Sequence, residues 1–240
     1  MNDLRSLFVN ECPFLVKFYG AMFDEGTVKV ALELMDVGSL KDIIKMAKLD
    51  PTWKQGKPLL PEAVVSKITQ QVLAGLAYLN ICLKQMHRDI KPDNVLCNRD
   101  GFVKLTDFGI TKQLDSEEQF SGTFVGTMNY MSPERMEGEK YNFEGDIWSL
   151  GLVMIELCTG SYPFKEVNNN FLEMLEQVKY EASPSLGKGV YSDELIDFVD
   201  KCLQKECTMR PSAISLLAHP FILKHSQTSA NLPQFFAKLL

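Results

Sequence analysis

The chain has 240 residues, 45% of them hydrophobic and 23% charged, so it can bury one substantial core and reads as a soluble globular protein. A formal net charge of -6 excludes a non-specific nucleic-acid binder, which needs a basic face to offset phosphate charge. The longest apolar stretch, Ile147 to Cys158, is too short to cross a bilayer and predicts a buried core helix.

In chain order, Val16-Lys17-Phe18-Tyr19 and Val28-Lys29-Val30-Ala31-Leu32 flank an Asp24-Glu25-Gly26 turn, which predicts a β-hairpin within 14–35. A lone hairpin is marginal in water and has to lean on other structure. The polar, proline-bounded stretch from Asp50 to Pro58 predicts a surface loop between two helices. From Pro61 the pattern turns helical, with Val65, Ile68, Val72, Leu76 and Leu79 near one face and Pro61-Glu62 suited to a first turn. A short strand-turn-strand separates Asn94 from Asp107. Residues 146–158 are apolar nearly all round, as in a helix surrounded by protein. Helical segments follow near 168–179 and 193–203, and a last one begins at Pro211-Ser212. The apolar run from Leu232 to Leu240 either packs back onto the body or docks a partner.

The six cysteines form no C-x-x-C pair and have no histidine at metal-ligand spacing, so reduced, mostly buried thiols are expected. The opening Met1-Asn2-Asp3-Leu4-Arg5 lacks the apolar run of a signal peptide. A cytosolic or nuclear setting, assigned here as cytoplasmic, and no membrane partner are the expectations.

Five features carry chemistry by their order and spacing. They are the run His87-Arg88-Asp89-Ile90-Lys91-Pro92-Asp93-Asn94, then Asp107-Phe108-Gly109, Ser132-Pro133-Glu134, Asp146-Ile147-Trp148-Ser149-Leu150-Gly151, and Arg210. Singly each is weak, but in this order they resemble the protein kinase family over roughly residues 3–222. The resemblance implies an α+β fold with a mainly helical C-lobe, and the cofactors ATP and Mg²⁺. It makes Asp89 the base that accepts the substrate hydroxyl proton, Lys91 the neutraliser of the transferred phosphoryl group, and Asn94 and Asp107 the metal ligands. It also implies that Glu134 pairs with Arg210 and that Asp146 ties the catalytic loop to the buried helix.

Alignment with the family places the interlobe hinge at Glu33-Leu34-Met35, with Leu32 as gatekeeper and Leu96 as the floor of the adenine pocket. Asp93 joins Lys91, Asn94 and Asp107 among the nucleotide-binding positions. Ser39 lies near a ribose or phosphate, or else caps a helix. Three segments resemble the MAP kinase kinases within the family: Cys12 to Ala21, Met35-Asp36-Val37-Gly38-Ser39-Leu40, and Thr123 to Arg135. That narrower resemblance implies phosphorylation of Ser/Thr, and also Tyr, of a downstream MAP kinase. It makes Thr123 the switch for an upstream kinase, with Ser121 or Ser116 as companion, although Glu117 and Gln119 stand where a second hydroxyl is expected. A phosphate adds about two negative charges, which Arg88 beside the base can pair with. Thr127 is expected to bond Asp89 and Lys91.

No glycine-rich loop and no Val-Ala-Ile-Lys-like strand with its phosphate-gripping lysine precede the hairpin, and Asp3 falls where an ion-pairing glutamate belongs. The expected division is a truncated N-lobe remnant at 1–35, a C-lobe at 36–224 and a tail at 225–240. Two readings follow: an incomplete form of an active kinase, or a catalytically inactive binding module that engages MAP kinase pathway partners. For the chain as written, feeble or no turnover is expected.

Overall fold

The computed structural model describes residues 12–108, 128–138, 142–164, 170–228 and 230–240. Among them two small antiparallel sheets sit on a mainly helical body. The first is a hairpin, β1 (Phe18–Asp24) with β2 (Thr27–Leu32), whose register bulges between Phe18 and Gly20. Its two-residue turn needs positive φ at both positions, and Glu25 (φ 47°) and Gly26 (φ 81°) supply it. The hairpin leaves Tyr19, Met22, Phe23, Val28 and Val30 exposed.

The second sheet orders β3 (Gly38–Ser39), β4 (Val95–Cys97) and β5 (Val103–Leu105). The segment before β1 extends it, because Val16 N–H donates to the Leu105 carbonyl and Leu105 N–H to the Phe14 carbonyl, each at 2.9 Å. Alternation sends Val95, Cys97, Val103 and Leu105 into the core.

Helix α1 (Leu40–Lys48) opens on a capping box between Ser39 and Asp42. Helix α2 (Glu62–Ile81) starts after Pro61 and buries Val65, Ile68, Val72, Leu76 and Leu79, the face the sequence predicts. It lies close under β5: a Cβ on Gly75 would come within 3.0 Å of Leu105 and 3.1 Å of the Phe14 carbonyl. Helices α3 (Pro133–Met136), α4 (Glu144–Thr159), α5 (Phe171–Tyr180) and α6 (Asp193–Cys202) follow. Helix α4 is enclosed, with Ile147, Trp148, Leu150, Leu152, Val153, Met154 and Leu157 all buried. Burial of each such side chain stabilises by about 1.5–3 kcal/mol.

The helix expected from Pro211 is two helices, α7 (Ala213–Leu217) and α8 (Pro220–Ser226). Pro220 lacks the N–H a continuous helix needs, and the His219 side chain accepts from Phe221 N–H to start a new one. Helix α9 (Leu232–Leu239) buries Leu232 and Phe236 against the body, so the C-terminal run packs back. The six cysteines are free thiols, four of them buried, and burial pushes the Cys97, Cys158 and Cys202 thiols up, which keeps them unreactive.

One buried ion pair joins the end of this body to its centre. The five N–H donors of Arg210 are all used: Nη1 and Nη2 grip Glu134 at 2.8 Å each, and the rest reach the carbonyls of Gln204, Glu144 and Lys205 at 2.7, 3.1 and 3.0 Å. The guanidinium also lies over Trp148, 5.2 Å from the ring centroid. Burial pushes the Glu134 carboxyl up, but the Arg210 hydrogen bonds and charge outweigh it and hold the group below its ordinary value of 4.5.

Replacing Arg210 by Met should cost about 3–5 kcal/mol in urea denaturation, because Glu134 is left buried and unpaired. In the parent, the share of stability contributed by Glu134 ionisation is fully present above pH 4.5 and should fade as the pH falls through the depressed value. A pH series of urea midpoints for parent and Glu134→Gln measures that share.

Candidate active site

A buried carboxylate at the first turn of α4 builds the site. The loop 82–91 between α2 and β4 has no ladder of its own, and Asp146 supplies its missing acceptors: Oδ2 takes His87 N–H and Oδ1 takes Arg88 N–H, both at 2.8 Å. Arg88 consequently sits at φ 70°, a left-handed conformation that costs an L-residue about 1–2 kcal/mol. Its carbonyl, turned the other way, accepts from Arg135 Nη1. His87 is fully enclosed, and desolvation lowers its pKa against the opposing pull of Asp146 and Asp89, so its ring is neutral near pH 7.

Just beyond the bend, Asp89 Oδ2 accepts from Lys91 Nζ at 2.8 Å and from Asn94 Nδ2 at 2.7 Å. The same Asn94 nitrogen donates to the Asp89 carbonyl at 2.8 Å, which leaves Asn94 Oδ1 as an acceptor. Lys91 and Asp89 are both 18% exposed, so the pair is partly desolvated but reachable.

The β4–β5 register brings in the last member. Val95 pairs with Leu105, and one step outward Thr106 N–H donates to the Asn94 carbonyl at 3.1 Å. Asp107, next in the chain, is exposed at φ 62° at this same end of the hairpin. Asn94 and Asp107 thus flank one end of the β4–β5 pair, and Asn94 is bound to the carboxylate that Lys91 also holds. Hard oxygen donors of this kind suit Mg²⁺, which takes one or two protein ligands and completes its shell from phosphates and water.

The remaining expected residues are distributed around this centre. Asp93 is bound by Lys41 of α1 at 2.7 Å, and that bond raises the lysine's pKa. Of the two readings open for Ser39, the structure shows the cap: its hydroxyl donates to Asp42 Oδ2 at 2.7 Å and accepts from Asp42 N–H at 3.2 Å. Leu96 is half-buried on the face of β4 opposite the core residues Val95 and Cys97. Leu32 ends β2, and Glu33-Leu34-Met35 forms the strap that connects it to β3. Glu33 N–H is spent on the Lys17 carbonyl at 2.8 Å, and the Met35 carbonyl accepts from Gly38 N–H at 3.2 Å. Among the described residues the Glu33 carbonyl and the Met35 N–H take no backbone partner. Thr123, Ser121, Thr127, Ser116 and Asp3 lie outside the described residues.

Four contributors were not read from the sequence. Lys41 and Lys104 reach carboxylates distant in the chain, Asp93 and Glu33. Tyr130 donates to Glu156 Oε2 at 2.6 Å, its carbonyl accepts from Ser149 Oγ at 2.7 Å, and the Tyr162 hydroxyl donates to the Asn129 carbonyl. The segment 128–132 is therefore fastened to α4 and its neighbour loop. Burial raises the Glu156 carboxyl and the Tyr130 phenol alike. The one available signal for Lys104 is a lysine between two core strand residues, Val103 and Leu105.

The protein kinase domain profile matches residues 3–222 of the chain. Mitogen-activated protein kinase kinase 2 of Arabidopsis thaliana is 40% identical over 232 residues, covering 95% of this chain and 61% of that protein. Mitogen-activated protein kinase kinase 1 of the same plant is 38% identical and covered to 65%. The dual specificity mitogen-activated protein kinase kinase dSOR1 of Drosophila melanogaster is 36% identical and covered to 60%. The chain therefore spans less than two thirds of the length of these curated relatives.

An Asp146→Asn variant turns an amide N–H toward one of the two loop donors. It should lower stability by about 2 kcal/mol and speed hydrogen exchange at the His87 and Arg88 amides, read by mass spectrometry.

Proposed function

We propose that this chain, which belongs to the protein kinase family, transfers the γ-phosphoryl group of Mg·ATP to a serine or threonine, and also a tyrosine, of a downstream MAP kinase. The observation that carries the reading is the Asp89 carboxylate, held by Lys91 and Asn94 beside the hairpin end that bears Asp107. Similarity to mitogen-activated protein kinase kinases supports the choice of substrate.

On this reading Asp89 is the base. Among the described residues both side-chain donors to Asp89 go to Oδ2, so Oδ1 is the oxygen that orients the substrate hydroxyl and receives its proton late in the transfer. The Lys91 ammonium beside it offsets the negative charge gathering on the moving phosphoryl group. Asn94 Oδ1 and the Asp107 carboxylate would hold the metal. When bound, Mg²⁺ neutralises the phosphate oxygens and fixes their orientation. Leu32, Glu33, Met35 and Leu96 frame the adenine, Ser39 stands beside the ribose side as a helix cap, and Asp93 acts through Lys41 of α1. Residues 1–35 belong to the smaller lobe, 36–224 to the helical lobe, and 225–240 to a tail that closes on it.

Regulation follows the same electrostatics. An upstream kinase phosphorylates Thr123, with Ser121 as companion, and the added charge is met by Arg88, whose backbone Asp146 already fixes. Thr127 bonds Asp89 and Lys91 and shapes the substrate groove. Among the described residues no helix is long and apolar enough to cross a membrane, and a cytoplasmic setting agrees with a MAP kinase substrate.

Asp89→Asn decides the assignment of the base. Measured against the parent's own turnover, which the sequence predicts to be feeble, phosphate incorporation into a catalytically dead MAP kinase should drop by at least about 10²-fold, with nucleotide affinity and thermal midpoint unchanged. A variant that keeps its rate removes Asp89 from that role.

A further inference from the structure

The strap that frames the adenine edge is fastened to the central sheet by a lysine that no motif and no step of the proposed reaction uses. Val103 and Leu105 on either side of Lys104 are buried in the core. Strand alternation turns Lys104 to the opposite face, where it stands across the ladder from Leu96. The Lys104 side chain is only 6% exposed, and Nζ lies 2.6 Å from Glu33 Oε1. The other carboxylate oxygen of Glu33 accepts Lys17 N–H at 3.1 Å, and the Phe102 ring lies 5.4 Å from the ammonium.

The surroundings argue for position rather than bulk stability. A buried ion pair is seldom worth more than the apolar residues that could replace it, so its value lies in fixing geometry. The start of the strap has little apolar burial to fix it: Leu34 is 81% exposed, Leu32 is 44% exposed, and the hairpin beyond is open on its apolar face, whereas Met35 at the strap's end is buried. Lys104 and Leu96 occupy one register position of one sheet, so a carboxylate bound to the first is set at the height of the second.

We propose that Lys104 is a positioning residue for nucleotide binding. Through Glu33 it holds the 33–35 strap against the sheet, so that the Glu33 carbonyl and the Met35 N–H meet an adenine lying on Leu96. This rests on the nucleotide-site reading above.

The test uses the full chain with Lys104→Met, Lys104→Arg and the double variant Glu33→Gln/Lys104→Met, and adenosine as the probe because it carries no phosphate. Lys104→Met should speed amide exchange at residues 33–36, leave the His87 and Arg88 amides as protected as in the parent, and weaken adenosine binding about tenfold. Lys104→Arg should keep both properties. The double variant should recover the thermal midpoint, since no unpaired charge stays buried, yet keep the fast strap and the weak binding. Parent-like exchange at 33–36 in Lys104→Met overturns the proposal, and so does parent-like adenosine affinity despite fast exchange. A parent that binds neither adenosine nor Mg·ATP overturns the nucleotide reading instead, while the exchange data still decide whether Lys104 holds the strap.

Discussion

The loop that carries Asp89, Lys91 and Asn94 depends on a single buried carboxylate, Asp146. Asp146 is 3% exposed and belongs to a helix that is buried almost all round, so its position is set by the core. The two amides it accepts force the bend at Arg88, and the bend places Asp89, Lys91 and Asn94 on one side of the loop. A loop of this kind cannot hold a left-handed arginine by local preference. The charge-assisted hydrogen bonds, each worth more than a neutral one, offset the strain.

Helix α4 serves as the common reference for the other half of the site. Arg210 binds the Glu144 carbonyl at its start and Glu134 in α3, while Ser149 and Glu156 hold Tyr130 from farther along the same helix. The segment 128–136 is thus registered to the same helix as the loop that carries Asp89. Any movement of one relative to the other has to break buried polar contacts, and their loss is costly because no water replaces them.

The strap and hairpin obey a different balance. Apart from the buried Met35, their apolar side chains are largely exposed, so little hydrophobic burial locates the hairpin and the start of the strap among the described residues. Directional contacts do the locating instead: Glu33 to Lys104 and Lys17, and Val37 N–H to the Cys97 carbonyl at 3.1 Å. Directional contacts of this kind specify position more than they add stability.

The sequence alone determined the elements whose signals are local. The hairpin is legible because its turn demands two positive φ values and the chain offers Glu25-Gly26 there. Helices α2 and α4 are legible from one apolar stripe and one all-round apolar run, since side-chain period follows directly from backbone geometry. The break at Pro220 was signalled by the proline but lost in an otherwise helical pattern. Asp89, Lys91, Asn94 and Asp107 stand out in the sequence because their order and spacing are fixed along one stretch of chain, and the structure brings Asp89, Lys91 and Asn94 into contact. Only the tertiary structure decided which charge answers which: Lys41 with Asp93, Lys104 with Glu33 and Tyr130 with Glu156 join residues 52, 71 and 26 positions apart. No periodicity encodes such pairs. They exist because packed helices and a strand register bring distant polar groups together in a medium where each requires a partner.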